Sequence, residues 1–206
     1  RISGGMIGAI VGDAVGARWE FCARGLANGR DPLDPLAPLP HRKVDLTYSD
    51  DTSQALCLLE SLLVCKRFDA EDFADRLIAW YRNGHLAVDG DVYDIGGTSA
   101  SAIQAWESDK YAVRNLSDRY ASTPSLSHTS TTTNGALMRT LPLALWWTGD
   151  ESDLLQVARD VADVTHQTND AREVCALYCL WARREMRGEG FPTEHLDWIE
   201  YGRNQS

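Results

Sequence analysis

Apolar residues recur with a helical period along almost the whole sequence, and this periodicity is the strongest constraint on the fold. After Thr52 they mark one helix face (Ala55, Leu56, Leu59, Leu62 and Leu63), and after Asp69, an expected N-cap, they mark another (Phe73, Leu77, Trp80 and Tyr81). The same pattern predicts helices over residues 136–147, 153–165 and 171–186. No segment alternates with period two, and no heptad is sustained. The sequence therefore predicts an all-α domain, a compact orthogonal multi-helix bundle rather than a coiled coil.

Two segments interrupt the helical pattern. Residues 31–40 carry four prolines, which lack a backbone N–H and fix φ, so this segment is predicted to be an extended loop. Residues 117–134 are rich in serine and threonine and are also predicted to be irregular. Long loops in compact domains usually carry function. Neither segment resembles a domain linker, so we expect a single domain over residues 1–206.

Charge and cysteine content exclude several functional classes. The net charge of −10 argues against a nucleic-acid-binding protein, because such proteins need a basic surface to neutralise phosphates. No apolar run is long enough to span a bilayer, so we expect no membrane association. The five cysteines are odd in number and form no C-x-x-C pair, which argues against disulfides and zinc sites. We therefore expect the protein in the cytoplasm.

The S-D-D-T segment (Ser49 to Thr52) allows two interpretations. Asp50 and Asp51 precede an apolar helix face, where carboxylates act as caps and stabilise the positive end of the helix dipole. Alternatively, successive side chains at a helix start point about 100° apart, so the two carboxylates would address two cations. A hydroxyl of Ser49 or Thr52 would be a further ligand. Oxygen ligands of this kind suit Mg²⁺, or Mn²⁺ as its substitute.

Polar and small residues cluster at two other positions. Small residues recur through the first helix (Gly4, Gly5, Gly8, Ala9, Gly12 and Gly16), which would let a neighbouring helix or a ligand approach closely. Asp13 lies among them, and Glu20 follows. Further along, a glycine-rich turn after Asp94 leads into a helix that we expect Thr98 or Ser99 to cap.

The last polar positions begin at a turn formed by Asn134 and Gly135. This turn opens a helix whose exposed N–H groups could hold a phosphate, with the Arg139 guanidinium nearby, although a structural role for Arg139 is an equal alternative. His166 follows Thr165 at a predicted helix end, where a histidine commonly interacts with the helix dipole.

Taken in order, these motifs resemble the ADP-ribosylglycohydrolase family. They read G-D-A-x-G-x-x-x-E, S-D-D-T, D-x-G-x-T, N-G-x-x-M-R-x-x-P-L and T-H, and the resemblance runs from residue 2 to about residue 180. It implies an all-α hydrolase with two Mg²⁺ or Mn²⁺ ions at the floor of a cleft. Such an enzyme cleaves the bond between ADP-ribose and a nitrogen or oxygen acceptor. The expected partners are therefore ADP-ribose or an ADP-ribosylated protein or small molecule.

The resemblance also implies roles for individual residues. The catalytic carboxylates would be Glu20, beside the scissile bond, and Asp51. The metal ligands would be Ser49, Asp50, Asp51 and Asp94. The substrate-binding residues would be Asp13, Gly97, Thr98, Asn134, Gly135, Met138, Arg139 and His166.

One part of the family pattern is missing. The family's second metal-binding motif, G-x-D-x-D-T, is absent from a sequence that stops at Ser206. We expect a fragment or a truncated gene product. One alternative is that another polypeptide completes the site. The other is that the chain is a non-catalytic ADP-ribose-binding or regulatory protein. We also expect helices 153–165 and 171–186 to lack packing partners, leaving an apolar patch open to association.

Overall fold

Every regular element that the structure describes is helical. The computed structural model describes residues 1–20, 47–92, 94–109 and 133–190. Its α-helices in chain order are α1 Ile2–Gly16, α2 Asp50–Cys65, α3 Ala70–Asn83, α4 Gly97–Asp109, α5 Leu141–Trp146, α6 Glu151–Asp163 and α7 Asn169–Arg187. Short 3₁₀ helices span Ala17–Trp19, Val88–Gly90 and Leu137–Arg139. The all-α prediction is confirmed, whereas the two predicted loops lie outside the described residues except for Thr133 and Asn134.

Side-chain caps and left-handed residues set the ends of the central helices. The Ser49 hydroxyl caps α2 by accepting from the Asp51 N–H at 3.3 Å. The Asp69 carboxylate caps α3 by accepting from the Asp72 N–H at 3.2 Å, which confirms that predicted cap. α3 ends at Asn83, and its C-cap is Gly84, whose φ is +65°. A Cβ at Gly84 would overlap the carbonyl oxygen of Gly90, so only glycine fits this turn.

The core lies between α2, α3, α6 and α7, with α4 and α5 contributing to its margins. α6 and α7 pack along each other, and α5 packs on both α7 and α2. The largest fully buried apolar side chains are Trp80, Phe73, Leu58, Leu62, Leu77, Ile103, Leu143, Leu154, Val161 and Val164. Because α2 is buried along most of its length, the S-D-D-T segment at its start is fixed to a rigid support.

The predicted helix over residues 136–147 is wrong as a single element. The structure contains a 3₁₀ turn at Leu137–Arg139 and a separate α5 from Leu141. Pro142 has no N–H to continue a helical ladder, but it is tolerated in the first turn of a new helix. Thr140 separates the two elements, and its hydroxyl donates to the Leu137 carbonyl at 2.8 Å.

Exposed apolar side chains concentrate on α1. None of its residues is fully buried, and Ile2, Ile7 and Val11 are each more than half exposed. The close approach expected at its glycines occurs only at Gly5, which faces Leu145; among the described residues the others meet no atom within 4 Å of an added Cβ. None of the helices in the described segments has the length and apolarity needed to cross a bilayer.

The apolar patch predicted for the last two helices is only partly present. On α6 the predicted apolar face is buried (Leu154, Leu155, Ala158, Val161 and Ala162), because α7 covers it, so the expectation is wrong for that helix. On α7, Val174 and Trp181 are 46% and 42% exposed. Four cysteines in the described part of the chain are free thiols, as expected, and Cys22 lies outside it.

Candidate functional site

An acidic cavity of about 320 Å³ lies at the start of α2. Its lining includes the carboxylate residues Glu20, Asp50, Asp51 and Asp94. The other lining residues come from the start of α4 and from the turn before α5, together with one histidine (Gly96, Gly97, Thr98, Ser99, Thr133, Asn134, Gly135, Met138 and His166). All but three of the residues predicted from the sequence therefore line one cavity. The three exceptions are Asp13, Ser49 and Arg139.

A second cavity of about 310 Å³ adjoins the first. Its lining includes Asp13 and Ser49, as well as Gly16, Ala17 and Trp19. Glu20 and Asp51 line both cavities, so their side chains form the boundary between the two. Asp13 and Ser49, two of the three exceptions, thus line the neighbouring cavity.

Asp13 anchors the start of α2 from α1. Its Oδ2 accepts from the Ser49 N–H at 2.8 Å and from the Thr52 N–H at 3.1 Å, while its Oδ1 accepts from the Ser49 hydroxyl at 2.6 Å. The first-turn N–H groups of a helix have no partner within the helix, so this carboxylate satisfies two of them. The contacts that the structure gives Asp13 therefore position the S-D-D-T segment.

Ser49 does not turn its hydroxyl toward the acidic cavity. The residue is 5% exposed, and its Oγ lies 2.6 Å from Asp13 Oδ1 and 3.1 Å from Asp51 Oδ2. A hydroxyl has one proton and two lone pairs; here the proton serves the carboxylates and one lone pair accepts from the Asp51 N–H. Ser49 is thus a helix cap, and its role as a cation ligand stays a prediction beside those of Asp50, Asp51 and Asp94, which line the cavity.

The carboxylates of the cavity repel one another in a desolvated site. Burial raises the pKa of Asp50 to about 8, with further contributions from the charges of Asp94, Asp51, Glu20 and Asp13. Burial also raises the pKa of Asp51, and Asp13 adds to the effect. The clustered negative charge therefore favours the protonated form of Asp50 at the start of α2.

The cavity fits a divalent cation by donor type and charge, although it offers an incomplete coordination shell. Carboxylate oxygens are the preferred ligands of Mg²⁺. Within the described segments, however, no group of three or more His, Cys, Asp or Glu side chains is gathered closely enough to hold one ion. Asp50, Asp51 and Asp94 would thus supply part of a shell whose other positions are open to water or a ligand.

The start of α4 is part of the cavity lining. Its first helical hydrogen bond runs from the Ala100 N–H to the Gly96 carbonyl at 3.0 Å, so the helix begins before Thr98. The prediction that Thr98 or Ser99 caps it is wrong for this reason. Gly96 and Gly97 have open space at their Cβ positions. Helix-start N–H groups beside such open space are a favourable environment for an anionic ligand group.

Arg139 lies in the core, which corrects its predicted place in the ligand cleft. It is fully buried and donates to Gln54 Oε1 at 2.9 Å, to Thr165 Oγ1 at 2.6 Å and to the Val161 carbonyl at 3.3 Å. Its guanidinium also lies over the Phe73 ring, 5.2 Å from the centroid. These contacts agree with the second role considered for Arg139, which is a structural one.

His166 reaches the cavity from the end of α6. The helix ends at Asp163, and the His166 N–H continues its ladder by donating to the Ala162 carbonyl at 2.7 Å. The ring is 4% exposed, and its Nδ1 lies 2.7 Å from Thr165 Oγ1. Burial, and then the charge of Arg139, lowers the pKa of His166 to about 3. The imidazole is therefore neutral at physiological pH.

Sequence reasoning missed several supporting residues. Gln54 follows Asp50 by one helical turn, and its Nε2 donates to Asp50 Oδ2 at 3.2 Å, a pairing that i,i+4 spacing could have indicated. Ser99, by contrast, was considered only as a cap, yet it lines the cavity. No local pattern in the sequence indicates the contact between Asp13 and Ser49, since it joins two helices.

Known proteins share both this sequence pattern and this fold. The model of the ADP-ribosylglycohydrolase family matches residues 1–204. ADP-ribosylarginine hydrolase Tri1 of Pseudomonas putida (strain GB-1) is 29% identical over 188 residues, covering 91% of this chain and 47% of the relative. ADP-ribosylhydrolase ARH3 of Bos taurus is 28% identical over 205 residues, covering 95% of this chain and 52% of the relative.

A solved structure gives the same result. A chain described as part of an ADP-ribosylglycohydrolase-related protein complex matches with a TM-score of 0.66 and 33% identity, covering 91% of this chain and 56% of its own length. This match confirms the expected fold. The chain spans about half the length of the curated relatives it matches. Because the family model covers nearly the whole sequence, the chain belongs to the ADP-ribosylglycohydrolase family.

Proposed function

We propose that this chain carries the acidic site of a metal-dependent hydrolase that cleaves the glycosidic bond between ADP-ribose and a nitrogen or oxygen acceptor. The observation that carries the proposal is a single cavity lined by Glu20, Asp50, Asp51 and Asp94 together with the start of α4 and the turn at Asn134 and Gly135. The relatives support it by their names, which describe hydrolases of ADP-ribosylarginine and of ADP-ribosylated dinitrogen reductase. The acceptor is a modified protein side chain or a small molecule.

The residues of the cavity divide into two chemical groups. Two Mg²⁺ ions, or Mn²⁺ in their place, held in part by Asp50, Asp51 and Asp94, would supply Lewis acidity and orient ribose hydroxyls and water. In the same lining, Gly97, Thr98 and the turn at Gly135 would offer backbone N–H groups to the diphosphate. The bound cations also offset the net charge of −10, which otherwise repels an anionic substrate.

Glu20 is the residue to which the proposal assigns proton transfer. In hydrolysis the bond between the anomeric carbon and the acceptor breaks, and the oxygen of a water molecule bonds to that carbon. Glu20 takes one proton from this water, the other proton stays on the new hydroxyl, and the departing acceptor takes up the proton that Glu20 received. A carboxylate on the boundary of the two cavities also stabilises the positive charge that develops on the sugar.

Release of free ADP-ribose tests the proposal. The chain is incubated with ADP-ribosylated arginine and serine peptides in Mg²⁺, and the products are separated by chromatography. We expect release in Mg²⁺ that a chelator abolishes and that Glu20→Gln reduces by about 100-fold or more. The matched control is Glu185→Gln, which changes an exposed carboxylate on α7 in the same way and should leave release unchanged.

The same samples distinguish a binding protein from an enzyme. If added ADP-ribose raises the melting temperature of the chain but no ADP-ribose is released from the peptides, the chain is a non-catalytic ADP-ribose-binding protein. If the chain in Mg²⁺ neither binds added ADP-ribose nor releases it from the peptides, the proposal fails for this chain.

Gly135→Ala is expected to weaken ADP-ribose binding at least tenfold. The added Cβ would lie 3.1 Å from His166 Nε2, so the ring would have to shift by a few tenths of an ångström, and it would touch Ser99 Oγ at 3.4 Å. The cost to folding should stay near 1 kcal/mol, because the crowding falls at the cavity surface. Calorimetric titration measures the affinity. Gly8→Ala on α1, where the Cβ meets open space, is the control and should bind as the wild type does.

We propose the cytosol as the compartment of this protein. Cys57, Cys65, Cys175 and Cys179 are free thiols. Burial raises the pKa of Cys57 and Cys175 to about 12, so these thiols are unreactive core groups. Free buried thiols of this kind are typical of a reducing environment.

A further inference from the structure

A buried chain of hydrogen bonds connects two residues that line the acidic cavity. Asp50 Oδ2 accepts from Gln54 Nε2 at 3.2 Å, and Gln54 Oε1 accepts from Arg139 Nη1 at 2.9 Å. Arg139 Nη2 donates to Thr165 Oγ1 at 2.6 Å, which lies 2.7 Å from His166 Nδ1. Asp50 and His166, the two ends of the chain, both line the cavity. The three residues between them are buried, with exposed fractions of at most 1%.

The direction of these hydrogen bonds follows from the chemistry of arginine. A guanidinium carries only donors and keeps its proton at any physiological pH. Thr165 Oγ1 therefore accepts from Arg139, and its single proton is left for another partner. His166 Nδ1 is the other hydrogen-bond partner that the structure gives this hydroxyl. Because a buried hydroxyl proton without an acceptor is costly, the proton goes to Nδ1.

This direction determines which nitrogen of His166 carries the proton. A neutral imidazole has one donor nitrogen and one acceptor nitrogen. If Nδ1 accepts from Thr165, then Nε2 bears the hydrogen. The Nε2 edge lies against Gly135, within 3.1 Å of the position of an added Cβ, and it borders the cavity. Burial and the Arg139 charge keep the pKa of the ring low, so the second proton is absent.

We propose that Arg139 and Thr165 are positioning residues that fix His166 as the Nε2–H tautomer, so that it presents a neutral hydrogen-bond donor to an acceptor oxygen of the bound ligand. The same guanidinium orients the Gln54 amide, since an oxygen bonded to Arg139 leaves the NH₂ group to face Asp50. One buried cation thus orients both the Gln54 amide beside Asp50 and the His166 ring at the cavity. The identity of the ligand rests on the proposed function, whereas the tautomer does not.

Nitrogen-15 spectra of the histidine rings test the tautomer in the intact chain without any ligand. The chain has five histidines, and His166→Gln identifies the signals of His166 by their loss. We expect a protonated Nε2 and an unprotonated Nδ1 in the wild type and in Thr165→Ser, which keeps the hydroxyl. Thr165→Val lacks the hydroxyl, so its His166 should show a mixture of tautomers or a protonated Nδ1.

Binding of ADP-ribose in Mg²⁺ provides the second measurement. Loss of the fixed donor should weaken binding about tenfold in Thr165→Val and leave Thr165→Ser near the wild type. A protonated Nδ1 in the wild type overturns the proposal, as does an unchanged tautomer in a folded Thr165→Val. If Thr165→Val does not fold, the wild-type and Thr165→Ser spectra decide alone. A correct tautomer without ADP-ribose binding would count against the proposed function only.

Discussion

Asp50→Asn is expected to raise the melting temperature of the metal-free chain and to remove its stabilisation by Mg²⁺. The Asp50 carboxylate is desolvated among Asp94, Asp51, Glu20 and Asp13, which raises its pKa from 3.8 to about 8. At pH 7 the Asp50 carboxyl therefore lowers the free energy of unfolding. An uncharged amide should restore roughly 2 to 3 kcal/mol of that stability. For a chain of this size the gain corresponds to about 5 to 10 °C. The amide oxygen still accepts from Gln54.

The sign of the pH dependence follows from the same shift. Because the folded-state pKa lies above the unfolded value, the stability that protonated Asp50 contributes is fully present below about pH 4. This contribution is lost as the pH rises through about 8. Thermal scans in chelator from pH 5 to 8 should therefore show the advantage of Asp50→Asn growing with pH. With saturating Mg²⁺ the wild type should gain stability and the variant should not.

An exposed carboxylate in another helix start provides the control for this experiment. Asp153→Asn makes the same change in the first turn of α6, where the side chain faces solvent. It should lower the stability slightly, by less than about 1 kcal/mol, because it weakens only the interaction with the helix dipole. If Asp50→Asn behaves like this control, the acidic cavity is neither strained by its charge nor a cation site.

Arg139→Met is expected to destabilise the fold by about 3 kcal/mol. The change leaves Gln54 Oε1 and Thr165 Oγ1 without their buried donor and removes the contact with the Phe73 ring. Each unsatisfied buried group costs about 1 to 3 kcal/mol, which exceeds the gain from no longer desolvating a guanidinium. Urea denaturation measures the loss as a lower midpoint with an unchanged slope.

Arg184→Met is the matched control for Arg139→Met. Arg184 pairs with Glu151 at 2.9 Å, but the two side chains are 32% and 30% exposed. Such a pair contributes at most about 1 kcal/mol, so the control should stay close to the wild type. Equal midpoints for the two variants would mean that the buried Arg139 contacts contribute no net stability.

Local patterns predicted much of the fold and of the site. The period of apolar residues identified α2 and α3, and the N-cap at Asp69 is confirmed because a cap depends only on neighbours along the chain. The ordered motifs identified Asp50, Asp51, Asp94 and His166, and the structure gathers these residues around one cavity. The positions of these residues along the sequence do not show that they lie close together in space. That expectation came from the family resemblance alone.

The errors share a physical cause, which is competition from contacts distant in sequence. Arg139 was expected in the cleft because a guanidinium suits a phosphate, yet Gln54 and Thr165 hold it in the core. The contact of the Ser49 hydroxyl with Asp13 of α1 was likewise not predicted, while the role of Ser49 as a metal ligand stays a prediction. The direction in which a side chain points depends on partners that become neighbours only after folding.

The anchoring of Ser49 by Asp13 links the order of the acidic site to the docking of α1. Asp13 belongs to a helix without a fully buried side chain, whereas α2 is buried along most of its length. Local opening of α1 therefore costs much less than global unfolding. Each such opening would release the N–H groups of Ser49 and Thr52 together while the core of α2 stays intact. The order of the two aspartates after Ser49 therefore depends on the free energy with which α1 packs against the rest of the protein.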